Sequence, residues 1–332
     1  MTTIRLAAIS ILTGLVTACG ATEEAQSQSP QKEAEQTAED QKSEPAPQAA
    51  AAEVENPIPT ADIIQLTDNI HMISRRGGNI GVLSGLDGVF VVDSQFGDLA
   101  AANLEAIESI AGEKPRFLLN THYHGDHVGG NGAFAETGAT IIAHENVRER
   151  ISKDAVRGER TIPAQPDWAW PVITFKEGLQ LHLDGENVGA IHVHNAHTDG
   201  DTIVIFYDSN VIHMGDVMFS GRWPFIDLEA GGTVDGYIAA LDQIYALTDE
   251  NTKIIPGHGP LSTEADIKTL HDKILAAKAL VKTEVDAGLT VEEIVSMKPL
   301  ADISGDWGAG FINDDRMVAT IARDLGALAS GE

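Results

Sequence analysis

The chain has 332 residues, with 50 acidic against 22 basic side chains and a net charge of −28 at pH 7. A field of that sign repels phosphate backbones, so nucleic acid is excluded as an expected partner, and neutral or zwitterionic substrates fit better than free fatty acids or phosphodiesters. Cys19 is the only cysteine, which excludes a disulfide within the chain.

In chain order, Arg5 precedes an apolar stretch from Leu6 to Val16, interrupted by Ser10, Thr13 and Gly14. It is too short to span a bilayer and reads as a signal peptide over residues 1–19. Val16-Thr17-Ala18-Cys19-Gly20 resembles the lipobox of bacterial lipoproteins. That resemblance implies lipidation of Cys19 and a periplasmic protein held to the membrane by its lipid alone, at the outer membrane because no aspartate follows the cysteine. A non-lipidated signal peptide is the alternative. Residues 20–56 are Ala, Glu, Gln, Ser and Pro with almost no large apolar residue. Such a segment buries too little surface to offset its ordering entropy and reads as a disordered acidic tether.

Residues 57–332 are the length of one large α/β domain. Strands are expected at Ile63–Leu66, Ile70–Ser74, Asn79–Leu83 and Val89–Val92, with turns at Gly77-Gly78 and Gly85–Gly88. A helix follows from Gly97 to Ile110, then short β-rich runs at Pro115–Asn120, Ala139–Ala143, Gly189–Val193, Val211–Met214 and Lys253–Ile255. Three helices close the chain: Thr263–Gly288, with Leu270, Ile274, Leu275 and Leu280 partly at helical spacing, then Val291–Met297 and Asp314–Leu328.

The run Thr121-His122-Tyr123-His124-Gly125-Asp126-His127 places four metal-ligating side chains within six residues, at the carboxyl end of a strand. Imidazole and carboxylate are the usual ligands of hydrolytic zinc. Downstream, His197, Asp216 and His258 each follow or end a further β-rich run, so four strand ends deliver candidate ligands to one rim.

On these residues the chain resembles the metallo-β-lactamase superfamily, whose H-x-H-x-D-H signature is met by His122, His124, Asp126 and His127. The resemblance implies a four-layer αββα sandwich. It also implies two zinc ions, iron or manganese being alternatives. One would be held by His122, His124 and His197, the other by Asp126, His127 and His258, with Asp216 reaching both. Two such ions share a water, acidify it and hold the resulting hydroxide beside a carbonyl, with Asp126 orienting it or carrying its proton. Asp216 stands where several well-known β-lactamases carry cysteine and is similar to the aspartate of hydroxyacylglutathione hydrolases and lactonases. The readings are therefore hydrolysis of a cyclic amide or ester, β-lactams included; hydrolysis of a lactone or thioester; and, from a different class, a catalytically silent envelope binding lipoprotein. The substrate is a small molecule in the first two.

Other residues carry paired readings. Asp93 either supports the ligand loop or caps the helix after it. His144 and His213 read as structural, and His192 and His194 as strand residues sharing one face. Asp201 stands where lactonase and thioesterase relatives show histidine, in His197-Thr198-Asp199-Gly200-Asp201, and either alters the metal environment or caps a loop. Trp168, Trp170 and Trp223 either wall a pocket beside the metals or seal the core edge. Arg222 either receives a substrate carboxylate or, as the preferred reading, is a solvated surface cation.

Overall fold

A computed structural model describes residues 61–157 and 160–329; the expected signal peptide and tether lie outside these. β1 (Asp62–Gln65), β2 (Ile70–Ser74), β3 (Ile80–Leu83) and β4 (Val89–Val92) form an antiparallel meander. α1 (Ala100–Ala111) follows a 3-10 turn and stops at Gly112, whose φ of 74° closes the last turn. β5 (Pro115–Asn120) pairs with β4 in parallel. α2 (Gly125–Val128) and α3 (Asn131–Glu136) lead into β6 (Thr140–His144), parallel to β5. α4 (Glu145–Ile151) and a hairpin of β7 (Ala155–Arg157) and β8 (Arg160–Ile162) precede β9 (Ile173–Phe175), which completes a seven-stranded sheet in the order β1-β2-β3-β4-β5-β6-β9.

The second sheet is built from β10 (Gly178–Leu183), β11 (Glu186–His192), β12 (Thr202–Phe206) and β13 (Val211–Phe219), all antiparallel. α5 (Val234–Tyr245) then crosses over, so β14 (Lys253–His258) lies parallel to β13. α6 (Glu264–Asp286), α7 (Val291–Met297), α8 (Ala301–Ser304) and α9 (Asp314–Asp324) follow. None of the helices among the described residues is long and apolar enough to cross a membrane.

Strand alternation sorts side chains into layers. On β4, Phe90 and Val92 enter the core between the sheets, with Val204 and Phe206 of β12 and Ile255 of β14. Phe90 meets Phe206 edge-on at 6.2 Å. Val89 and Val91 face the other way, onto Ala106 and Ile107 of α1 and Phe134 of α3. Ile203, Ile205, Ile212 and Ile254 pack on Tyr237 and Leu241 of α5 and on Ile267, Leu270 and Ile274 of α6. The central strands β3, β4, β12 and β13 are buried along their whole length and read as near-continuous apolar runs, whereas β1 is exposed throughout and β10 at alternate residues. The result is the expected αββα sandwich.

The strands β7 to β10 and β12 and the helices α2 to α5 and α8 were not expected from the sequence, and three of the expected elements differ in detail. α6 buries Ile267, Leu270, Ile274, Ala277 and Val281, whereas Leu275 and Leu280 are 49% and 40% exposed. The stripe runs through alanine and valine positions at i+3 and i+4, and the leucines off it reach solvent. α9 stops at Asp324, because residues 325–326 form a turn around Gly326 at φ 87°. β13 continues past Met214 to Phe219 through two register shifts against β14, with Gly215 at φ 50° between them. This bulge re-aims the residue that follows, Asp216.

Candidate active site

The seven residues expected as ligands meet at one end of the sandwich. His122, His124, His197 and Asp216 form one group and Asp126, His127 and His258 a second, with one potential ligand atom of each residue within 4.8 Å of the others in its group. In the first, His124 Nδ1 lies 3.0 Å from His122 Nε2 and 2.8 Å from His197 Nε2. Asp216 Oδ2 is 3.8 Å from His122 Nε2 and 3.5 Å from His197 Nε2. In the second, Asp126 Oδ2 is 3.3 Å from His258 Nε2 and 3.9 Å from His127 Nε2. Asp216 also reaches this group, Oδ1 at 3.1 Å from His127 Nε2 and Oδ2 at 3.4 Å from His258 Nε2. A tetrahedral ion with bonds of about 2.0–2.2 Å needs ligand atoms about 3.3–3.6 Å apart, so both groups have the dimensions of a metal cage.

The chain holds most of these rings by the nitrogen that faces away from the cage. His122 Nδ1 donates to Thr121 Oγ1 at 3.1 Å, and that hydroxyl donates to Asp93 Oδ2 at 2.7 Å. His127 Nδ1 donates to Asp93 Oδ2 at 2.7 Å. His197 Nδ1 donates to the carbonyl of Phe225 at 2.7 Å. His124 is turned the other way, its Nε2 donating to Asp227 Oδ2 at 2.8 Å, which leaves Nδ1 for the cage. The His258 ring stacks on Phe219 at 5.1 Å. Such outer contacts fix tautomer and orientation before an ion arrives.

Within the site two buried atoms make no well-aligned hydrogen bond: His127 Nε2 and Asp216 Oδ1, which lie 3.1 Å apart. An unsatisfied buried polar atom costs about 1–3 kcal/mol, and a divalent cation between these two satisfies both. The donor set is imidazole and carboxylate with no sulfur, which suits zinc and also admits iron or manganese.

Electrostatics divide the rings into two kinds. Burial, with the nearby His127, drives His122 well below the ordinary histidine range. Burial lowers His197 to about 4, His124 adding to the effect. Burial opposes charge on His127 as well, but Asp216, Asp93 and Asp126 outweigh it and raise its pKa well above the ordinary value. His258 is likewise raised to about 9, Asp216 and Asp126 prevailing over burial. Asp216 stays ionised: burial pushes its pKa up, but His258, His127 and His122 hold it well below the usual carboxylate range. His127 and His258 are thus the rings that the neighbouring carboxylates favour in protonated form, and a bound cation would displace those protons.

Glycines make room for the arrangement. A Cβ at Gly257 would fall 2.0 Å from Asp216 Oδ1, and one at Gly78 would fall 2.4 Å from His127 Cε1. Asn79 anchors the same turn, its amide donating to the carbonyls of Pro256 and Gly259 at 2.8 and 2.9 Å.

The paired readings resolve as follows. Asp93 supports the ligand loop, also accepting from the Thr121 amide at 2.7 Å, and caps no helix. Asp201 caps the His197 loop through the Thr198 amide at 2.8 Å and hydroxyl at 2.5 Å, and burial raises its pKa to about 7. Asp199 pairs with Arg150 of α4 through both oxygens. His144 caps α4 by accepting from the Asn146 amide, and His213 is buried against the carbonyl of Asn79. His192 stacks on His144 at 4.0 Å. Trp168 is 60% exposed and lies with Ala135 and Glu136, and Trp170 packs beside Val128 and Val147, so neither walls the site. Trp223 does, lining a cleft of about 580 Å³ with Asp126, Asp216 and His258.

Asp227 was missed by sequence reasoning. It is buried, and one oxygen accepts from both His124 and the Tyr123 hydroxyl, the latter at 2.9 Å. Locally it is visible only as the cap of a 3-10 turn.

The chain is thus a protein of αββα architecture with two groups of candidate metal ligands at one end of the sandwich. The family model of the metallo-beta-lactamase superfamily matches residues 73–258, and the chain belongs to that superfamily. It is 30% identical over 161 residues to a hydroxyacylglutathione hydrolase of Pelagibacter ubique, covering 48% of this chain and 57% of that protein. It is 26% identical over 208 residues to an acyl-coenzyme A thioesterase of Gallus gallus, covering 56% and 73%. The chain thus spans little more than half the length of the first of these relatives. Among solved structures, the sec-alkylsulfatase Pisa1 from Pseudomonas sp. shares the fold with a TM-score of 0.60 at 13% identity, covering 82% of this chain and 51% of that one.

Proposed function

We propose that the chain is a dinuclear zinc-dependent hydrolase of acyl bonds, with thioesters and lactones as the preferred substrates. The observation that carries this reading is a buried carboxylate, Asp216, placed between two ligand cages on the floor of an open cleft. His122, His124 and His197 would hold one ion, Asp126, His127 and His258 the other, and Asp216 would reach both. When bound, the ions supply Lewis acidity toward an acyl oxygen and lower the pKa of water at the site.

The chain's own groups do the rest. Asp216 balances the charge of both cages, and Asp93, Asp227 and the Phe225 carbonyl keep the ligand nitrogens aimed. Burial pushes Asp126 up, but His127 and His258 bring it below the ordinary carboxylate value, so it is ionised at neutral pH and placed to take a proton from the attacking water. The oxygen of water goes to the acyl carbon, the C–S or C–O bond breaks, and the proton goes to the leaving sulfur or oxygen.

The relatives named for thioester hydrolysis favour this class, as does aspartate rather than cysteine at position 216. A β-lactam is the second reading, favoured by the export signal proposed for residues 1–19, with Cys19 the lipid attachment point in the periplasm. Turnover of an S-acyl thioester, a simple lactone and a chromogenic cephalosporin by the zinc-loaded protein separates them. Thioester or lactone hydrolysis lost with a chelator is the expected result; cephalosporin hydrolysis alone transfers the assignment to the second reading. No turnover of any of the three rejects acyl hydrolysis.

A further inference from the structure

The cleft over the cages is lined largely by aromatic side chains, Phe96, Phe219, Phe225 and Phe311 among them, and by two cations, Arg76 and Arg222. The cations differ in state. Arg76 is paired with Asp98 at 2.5 Å and lies over the Phe96 ring at 4.8 Å. Arg222 has no carboxylate within 4.0 Å among the described residues; its only hydrogen bond there is a long one, from Nε to the Ser220 carbonyl at 3.4 Å. Arg222 is exposed, as the surface-cation reading expected, and it also lines the cleft, so its guanidinium is open to an anion there. The global field disfavours anionic substrates, but a fixed cation at contact distance outweighs distant, screened charges.

The aromatic wall has two origins. Phe219 ends β13, and Phe225 follows it in the same loop as Arg222. Phe311 and Ile312 come from the segment between α8 and α9, outside the 73–258 region shared with the superfamily. That segment is fastened to the loop: Trp223 Nε1 donates to Asp314 Oδ1 at 2.8 Å, and Trp223 meets Trp307 edge-on at 5.4 Å. Phe311 is nevertheless 74% exposed, its ring held at the cleft with the Arg316 guanidinium over it at 4.7 Å.

We infer that the substrate's acyl group is an extended apolar chain or ring bearing an anionic group at its far end, the apolar part lying along Phe219, Phe225 and Phe311 and the anion on Arg222. This inference rests on the acyl-hydrolase reading for the bond broken but not for the pocket. Arg222 and Phe311 are specificity residues, and a substrate lacking either feature forfeits the contact without disturbing the cages.

Binding and turnover on the full-length, zinc-loaded chain test it separately. By calorimetry, octanedioate should bind at least tenfold more tightly than octanoate, because one carboxylate can engage the metal site and the second Arg222; R222Q should abolish that gain. Butanedioate, which has almost no apolar chain between its carboxylates, should gain less, and F311A should weaken octanedioate with zinc content unchanged. In turnover, the 7-carboxyheptanoyl thioester should show a KM at least tenfold below that of the octanoyl thioester, with kcat similar. Equal affinities, or a gain that survives in R222Q, overturn the pocket assignment. Arg222-dependent binding of octanedioate with hydrolysis of neither thioester leaves the pocket assigned and rejects thioester hydrolysis.

Discussion

Gly257→Ala isolates the geometry that joins the two cages. The new methyl would sit 2.0 Å from Asp216 Oδ1 and 2.6 Å from the carbonyl carbon and oxygen of Gly215, where ordinary contact begins at 3.4 Å. Relief therefore needs about 1.4 Å of movement, either of the Asp216 carboxylate away from the cages or of β14 away from β13. Misplacing a reacting constellation by about 1 Å typically lowers turnover by about 100-fold, and overpacking of this kind destabilises by about 1–3 kcal/mol. The expected outcome is a folded protein with reduced zinc content and activity at or below about 1% of wild type. Zinc would be measured by elemental analysis, thioester turnover in parallel, and the fold by near-UV circular dichroism. Gly125→Ala is the counterpart: it lies inside the ligand motif, but a Cβ there meets nothing within 4 Å. It should keep its zinc. If Gly257→Ala retains two zinc ions and near-normal turnover, the reasoning about Asp216 fails.

Three further outcomes follow from the same structure. Asp93→Ala removes the acceptor that holds His127 Nδ1 and the Thr121 hydroxyl, and should weaken zinc binding by about 10–100-fold in a chelator competition assay; unchanged affinity would show that the rings are oriented without it. Zinc loading at pH 7.5 should release about two protons per chain, from His127 and His258, read by calorimetry in buffers of different ionisation enthalpy; no release would contradict the proton placement. In the metal-free protein, raising the His258 pKa to about 9 from 6.5 contributes stability that is full below pH 6.5 and is lost as pH rises through 9. The contribution is up to about 3 kcal/mol, seen as a falling Tm across that window, and His258→Gln should flatten it.

Legibility in the sequence followed the range of the signal. Nine of the fourteen described strands, and α1, were readable from local apolar runs, whereas β7 to β10, β12 and α5 were not expected from the sequence. The ligands were readable because His122 to His127 are packed into one turn and the others sit at strand ends. Asp227 was not, since its partners, Tyr123 and His124, lie more than a hundred residues away and its other oxygen does an ordinary capping task. The role of Gly257 is equally non-local: only the position of Asp216 beneath it, set by the bulge at Gly215, makes a side chain intolerable. Trp168, Trp170 and Trp223 share a composition of neighbours but not a destination, because the excursion after α4 carries the first two to another face. Phe311 gave no signal because its contribution depends on the fastening of its segment through Trp223.

Whether two metal ions share Asp216 is decided by anomalous X-ray scattering at the zinc edge from crystals of the zinc-loaded chain. Two peaks are expected. One should lie about 2.0–2.2 Å from His122 Nε2, His124 Nδ1 and His197 Nε2, the other at that distance from Asp126 Oδ2, His127 Nε2 and His258 Nε2, with Asp216 bonded to both. A single peak, or peaks with Asp216 bonded to neither, would contradict that sharing.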